Sequence, residues 1–146
     1  MTNIQELNIS YNNLTSLDGI ENIAALTILT AHKNELTDID AIASQDKLVS
    51  VNLGFNKITD IDVLSKLQQA QTLLLNANLL TDVSALKNLD ALVTLRLEFN
   101  DLMTEAVQDI IALPNIKFLT MAGNEIEQAL VDKRNNKSLL FQEEQE

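Results

Sequence analysis

Apolar residues return along this chain in one fixed order. From Leu48 to Gln69 the sequence reads LVSVNLGFNKITDIDVLSKLQQ, in which Leu48, Val51, Leu53, Ile58, Ile61, Leu64 and Leu67 recur and Asn56 stands among them. A slide of 22 residues lays the same template, L-x-x-L-x-L-x-x-N-x-L-x-x-L-x-x-L-x-x-L, on copies beginning at Ile4, Leu26, Leu48, Ala70 and Leu92, and a partial copy begins at Ile116. Within each copy the early positions alternate in and out, as in a short strand, whereas the later spacing of three suits a 3-10 or tight helical path. One such unit cannot bury its own apolar face, so successive units must stack. The pattern predicts an α/β solenoid, with short parallel strands about 4.8 Å apart on a concave face and 3-10 or short helical turns on a convex face.

The polar positions predict how each coil turns. Asn12, Asn34, Asn56, Asn78, Asn100 and Asn124 fall where the chain leaves each strand. An amide with two donors and an acceptor can bond the backbone of adjacent coils there, making a ladder. Asp18, Asp40, Asp62 and Ser84 stand at position fifteen of successive copies and are residue types that cap the start of a helical turn. The second copy departs from the template once, at Gln45. The fifth copy is two residues longer, and Thr104 as a cap, the run EAVQDIIAL and Pro114 as a stop predict a helix over 105–112. The repeats are expected to occupy 1–126 as one domain. Residues 127–146 should form a C-terminal cap, with Ala129, Leu130 and Leu139–Phe141 as its lid and Gln142–Glu146 frayed.

These leucines, asparagines and capping aspartates carry a resemblance. Over residues 4–126 the chain resembles the 22-residue class of leucine-rich repeat found in the regulatory subunit of protein phosphatase 1, in outer-arm dynein light chains and in bacterial internalins. The matching residues are structural, so the resemblance implies the fold first: a leucine-rich repeat solenoid. It further implies a protein-binding module whose concave strand face meets the partner.

Composition narrows the partner. With 10 basic residues against 21 acidic and a net charge of -11, the chain repels a phosphate backbone, so nucleic acid is not expected. It has no cysteine, which excludes disulfides, thiolate metal sites and cysteine catalysis. No apolar run reaches the length of about 18 residues that a membrane helix needs, and MTNIQELN lacks a basic and then apolar leader. The sequence predicts a protein without membrane insertion, in the cytoplasm, with no cofactor.

Four template positions, three, five, seven and eight, are free to vary on the concave side. Most hold small polar residues, against which Ile28, Leu74 and Phe118 are apolar and Arg96 is cationic, a combination typical of binding hot spots. His32, Phe55 and Phe99 complete the predicted partner-binding set. Tyr11, Phe55 and Phe99 recur 44 residues apart at position eight; their place beside the asparagine bend predicts partial burial. His32 falls next to Ser10 and Gly54 on adjacent strands, an arrangement that a hydrolase would need to complete with an orienting acid and an oxyanion hole; no catalytic residue is assigned. Asp38, Asp60 and Asp82 form a carboxylate column that reads as solvated surface, not as a metal site.

The function expected is that of a non-enzymatic protein-protein interaction module, regulatory or scaffolding. The alternatives are a fragment of an internalin-like surface adhesin and a hydrolase using His32. The first strand, with Ile4, Leu7 and Ile9, should leave an edge open to self-association or to an upstream cap. The strand face spans on the order of 300 Å² from strand spacing, short of the roughly 800 Å² per partner of a standard interface. Tight binding should therefore extend onto the bends near Tyr11, Lys33, Phe55 and Phe99.

Overall fold

The computed structural model describes residues 3–127, Leu130 and Leu140–Phe141. Seven short strands lie in one parallel sheet in chain order: β1 (Glu6–Asn8), β2 (Ile28–Thr30), β3 (Ser50–Asn52), β4 (Thr72–Leu74), β5 (Thr94–Arg96), β6 (Phe118–Thr120) and β7 (Leu140–Phe141). Register follows the repeat. Leu7, Leu29, Val51, Leu73, Leu95 and Leu119 pair across successive strands, and the longer fifth copy is absorbed between Thr94 and Phe118. From Leu29 to Leu119 every member of this row is fully buried, whereas Ile4, Leu7 and Ile9 of the first coil are only partly buried. Among the described residues β1 is an edge of the sheet, paired with β2 alone.

The return path of each coil is a 3-10 turn: Ile20–Asn22, Asp40–Ser44, Asp62–Lys66, Ser84–Leu86, Thr104–Val107 and Ile110–Ala112. Apolar residues three apart eclipse on a 3-10 path and so face the core together. This decides the fifth coil against the helix expected over 105–112. Val107, Ile110 and Leu113 are spaced by three and all buried, so two 3-10 turns bury what a longer α-helix would rotate out of line. Nor does Thr104 cap: its hydroxyl accepts instead from the Glu127 N–H at 2.9 Å.

The capping column is also displaced from the expected one. Asp40, Asp62 and Ser84 are the first residues of their turns and donate, through their backbone N–H, to the Oδ1 of Asp38, Asp60 and Asp82, each at 2.8 Å. An aspartate two residues ahead of the turn can bend its carboxylate back over the chain; one inside the turn cannot. Ser16 does the same for Asp18 at 3.4 Å.

On the other side of the strands the asparagines stitch coils together. Asn78 Oδ1 accepts from Ile58 N–H at 3.0 Å, and its Nδ2 donates to the carbonyls of Leu53 and Leu75. Asn34, Asn56, Asn100 and Asn124 repeat the pattern, while the exposed Asn12 bonds only within its own coil. Gln45, the one polar break in the template, is buried and donates through Nε2 to the carbonyls of Ile20 and Ile23 at 2.6 and 2.8 Å.

Most of the cap expected over 127–146, including Ala129, Leu139 and Gln142–Glu146, lies outside the described residues. Leu130 is buried. Leu140–Phe141, read from sequence as part of a lid, is instead a strand paired with Phe118–Leu119, one more 22-residue step of the coil.

Candidate partner-binding face

Strand parity sends alternate side chains to opposite faces, and the outward set here is Glu6, Asn8, Ile28, Thr30, Ser50, Asn52, Thr72, Leu74, Thr94, Arg96 and Phe118. Leu74 pairs in register with Arg96, and Thr94 with Phe118. Ile28, Leu74 and Phe118 are each partly exposed. The face is electrically balanced: through the bend positions it carries Glu6 and Glu98 against Lys33 and Arg96, so the acidic excess of the described residues lies elsewhere.

At position eight the chain turns with a left-handed backbone. Tyr11, Lys33, Phe55, Ala77 and Phe99 all have φ between 57 and 60°, a region that bulky residues rarely enter. The coil leaves them no choice, because each donates its N–H to the carbonyl of the preceding position in the next coil: Tyr11 to His32, Lys33 to Gly54, Phe55 to Asn76, Ala77 to Glu98 and Phe99 to Ala122, at 2.8–3.1 Å. The row is more exposed than its place beside the bend predicted, with Tyr11 at 69% and Phe55 and Phe99 at 51%. A left-handed residue points its side chain outward from the coil, so the buried asparagine beside it gives no shelter.

Lys33 lies between two of these rings, its Nζ 5.1 Å from the centre of Tyr11 and 5.3 Å from that of Phe55. Beside it a depression of about 210 Å³ opens in the concave face. His32, Lys33 and Asn52 line one side, Leu74, Asn76 and Arg96 the other, with Gly54 and Phe55 between. Its floor depends on Gly54, where a Cβ would come within 2.9 Å of Asn76 Oδ1. Of the residues singled out from sequence, His32, Phe55, Leu74 and Arg96 are thus brought together. Ile28, Phe99 and Phe118 lie outside the depression, Phe99 with its ring over Gly123.

Reading the sequence put Lys33 on a bend that a partner should reach but not in the binding set, and missed Asn52 and Asn76 as lining groups and Glu98 as a buried one. Lys33 had a signal, since the 22-residue step places it directly between Tyr11 and Phe55. Glu98 had none. It is 1% exposed and its carboxylate accepts from Arg96 and, at 2.6 Å, from the Thr120 hydroxyl.

The His32 ring is 5.0 Å from that of Tyr11, edge to face. Its Nδ1 lies 3.1 Å from Ser10 Oγ and 3.5 Å from Asn52 Nδ2. Because Asn52 Oδ1 accepts from Gly54 N–H at 3.0 Å, the Asn52 amide nitrogen is the end that faces the ring. Ser10 and His32 are therefore within reach of one another, but among the described residues no carboxylate orients the imidazole.

A family model described as leucine rich repeats in two copies matches residues 2–44, and one for a single leucine rich repeat matches residues 46–65. The fold of this chain is a leucine-rich repeat solenoid. Solved structures agree with the coil. An internalin of Listeria monocytogenes is similar over 99% of this chain and 48% of its own, at 26% identity and a TM-score of 0.73. A Leptospira interrogans leucine-rich repeat protein shares the fold over 96% of this chain and 37% of its own, at 24% identity and a TM-score of 0.85. A second Listeria internalin, C2, shares it over 98% and 72%, at 24% identity and a TM-score of 0.66. The leucine-rich repeat chain thus spans about half the length of the first of these and little over a third of the second. No curated protein matches it in sequence. Among its described residues no helix is long and apolar enough to cross a membrane.

Proposed function

We propose that this leucine-rich repeat solenoid is a non-enzymatic interaction module that binds a protein partner across β2–β6 and the bend row beside them. The observation that carries the reading is the exposure of Tyr11, Phe55 and Phe99 in left-handed backbone. A ring left half or more exposed there gains little from burial and stands where asparagine or glycine would be less strained; such costs persist at sites kept for binding. The balanced charge of the face supports the same surface, since a partner meets no field of one sign there. Strands and bend row together also relieve the shortage of area on the strand face alone.

Capture of the partner from native lysate by the intact chain, identified by mass spectrometry, is the first test. Against that partner, Leu74→Ala and Phe118→Ala should each weaken binding, at least one by about 2 kcal/mol if it is a hot spot. Charge reversal at Asp38 and Asp60, which lie beyond the bends, should change affinity little. The opposite ranking would move the site off the concave face. The similarity to Listeria internalins favours a second reading, a piece of a surface adhesin; a secretion leader and a wall anchor encoded around these repeats in the native gene would support it.

A further inference from the structure

We infer that the depression over Gly54 seats one carboxylate side chain, an aspartate or glutamate, of the bound protein partner. The inference rests on the concave face being the binding face. Among the described lysines only Lys57 pairs with an acid, Glu35 at 3.1 Å, and what sets Lys33 apart is that its unpaired ammonium is fixed in place. Among the described residues no carboxylate pairs with Lys33. The rings of Tyr11 and Phe55 hold its ammonium at the rim of the depression. Cation–π attraction uses the charge but supplies no acceptor for the three N–H donors.

Size and charge define the occupant. A volume of about 210 Å³ is smaller than the roughly 300–1,000 Å³ of small-molecule sites and suits one side chain. Arg96 is already matched by Glu98, so the uncompensated charge is that of Lys33 alone. A monoanion balances it, whereas a phosphate dianion would leave a charge unmatched near the Glu98 carboxylate. Leu74 also lines the depression, and its side chain accommodates the methylene stem of such an acid.

A phage library of random 15-residue peptides panned on the intact chain tests this without knowledge of the natural partner. Selected peptides should share an aspartate or glutamate at one position. Replacing it by its amide should weaken binding at least tenfold, as should Lys33→Gln in the protein, and making both changes should weaken it no further than either alone. Lys33→Arg, which keeps the charge, should retain most of the affinity, and unchanged thermal melting should show that both variants fold. Peptides that lose binding on Leu74→Ala but ignore Lys33→Gln, or share no acid, would overturn the carboxylate seat and leave the concave binding face standing. Peptides indifferent to both Leu74 and Lys33, or a library from which nothing is selected, would count against both readings.

Discussion

The ring of Phe99 occupies the place where a side chain at Gly123 would be: a Cβ built there stands 2.4 Å from Phe99 Cδ1. Gly123 is the sixth copy's counterpart of the left-handed row, with φ 74°. The bend edge is thus closed at that end by a ring lying on bare backbone.

Gly123→Ala should expel that ring and add the cost of a left-handed alanine, together about 1–2 kcal/mol. The ring is half exposed and can swing away, so the change should remain folded. In urea melts, Phe99→Ala combined with Gly123→Ala should recover part of the loss. Purely additive effects would show that ring and glycine are not coupled.

Asparagines of the column should not be equal. Asn78→Ala leaves the buried Ile58 N–H without an acceptor, while Leu53 O keeps Asn56 and Leu75 O keeps Asn100 as donors. The expected loss is about 2–3 kcal/mol. Asn12→Ala, at an exposed position with bonds only inside its own coil, should lose under about 1 kcal/mol. Equal losses would mean that the amides act locally and do not join coils.

Asp82 gives a pH prediction. Backbone and then side-chain hydrogen bonding from Ser84 holds its carboxyl below the ordinary aspartate value. A native value lower than the unfolded one means that its contribution is complete above the unfolded value and is lost as pH falls through the native one. Asp82→Ala should cost about 1 kcal/mol at neutral pH, as for a lost cap, and should flatten the loss of stability below about pH 4. Asp82→Asn keeps the acceptor and should restore stability without restoring the pH dependence. Acid titration of the unfolding midpoint in the three proteins measures both effects.

Removal of Arg96 should harm the fold more than removal of Glu98. Arg96→Ala leaves a buried carboxylate that still accepts from the Thr120 hydroxyl but has lost its cation, at a cost approaching the roughly 3–5 kcal/mol of a broken buried pair. After Glu98→Ala the Arg96 side chain, 41% exposed, can turn to water, so a loss of about half that is expected. Binding measured on Arg96→Ala therefore needs a stability control that Leu74→Ala does not. Denaturant midpoints in the reverse order would show that the carboxylate is better hydrated than its burial implies.

The sequence by itself determined the coil. Leucines at a constant step require stacking, because no single unit can hide its apolar face, and the register of Leu29 on Val51 on Leu73 follows from the step alone. Likewise the asparagines announce their role, since a buried bend leaves backbone groups that few other side chains could satisfy. Tertiary structure decided whatever depends on direction more than on spacing. Which aspartate caps a turn depends on whether its carboxylate can reach back two residues, and Asp60 can where Asp62 cannot. The fifth coil became two 3-10 turns because the neighbouring coils already present a core at a spacing of three, overriding local helix propensity. Position eight is exposed because inter-coil hydrogen bonds force its backbone left-handed, and only that handedness swings Tyr11 and Phe55 out on either side of Lys33.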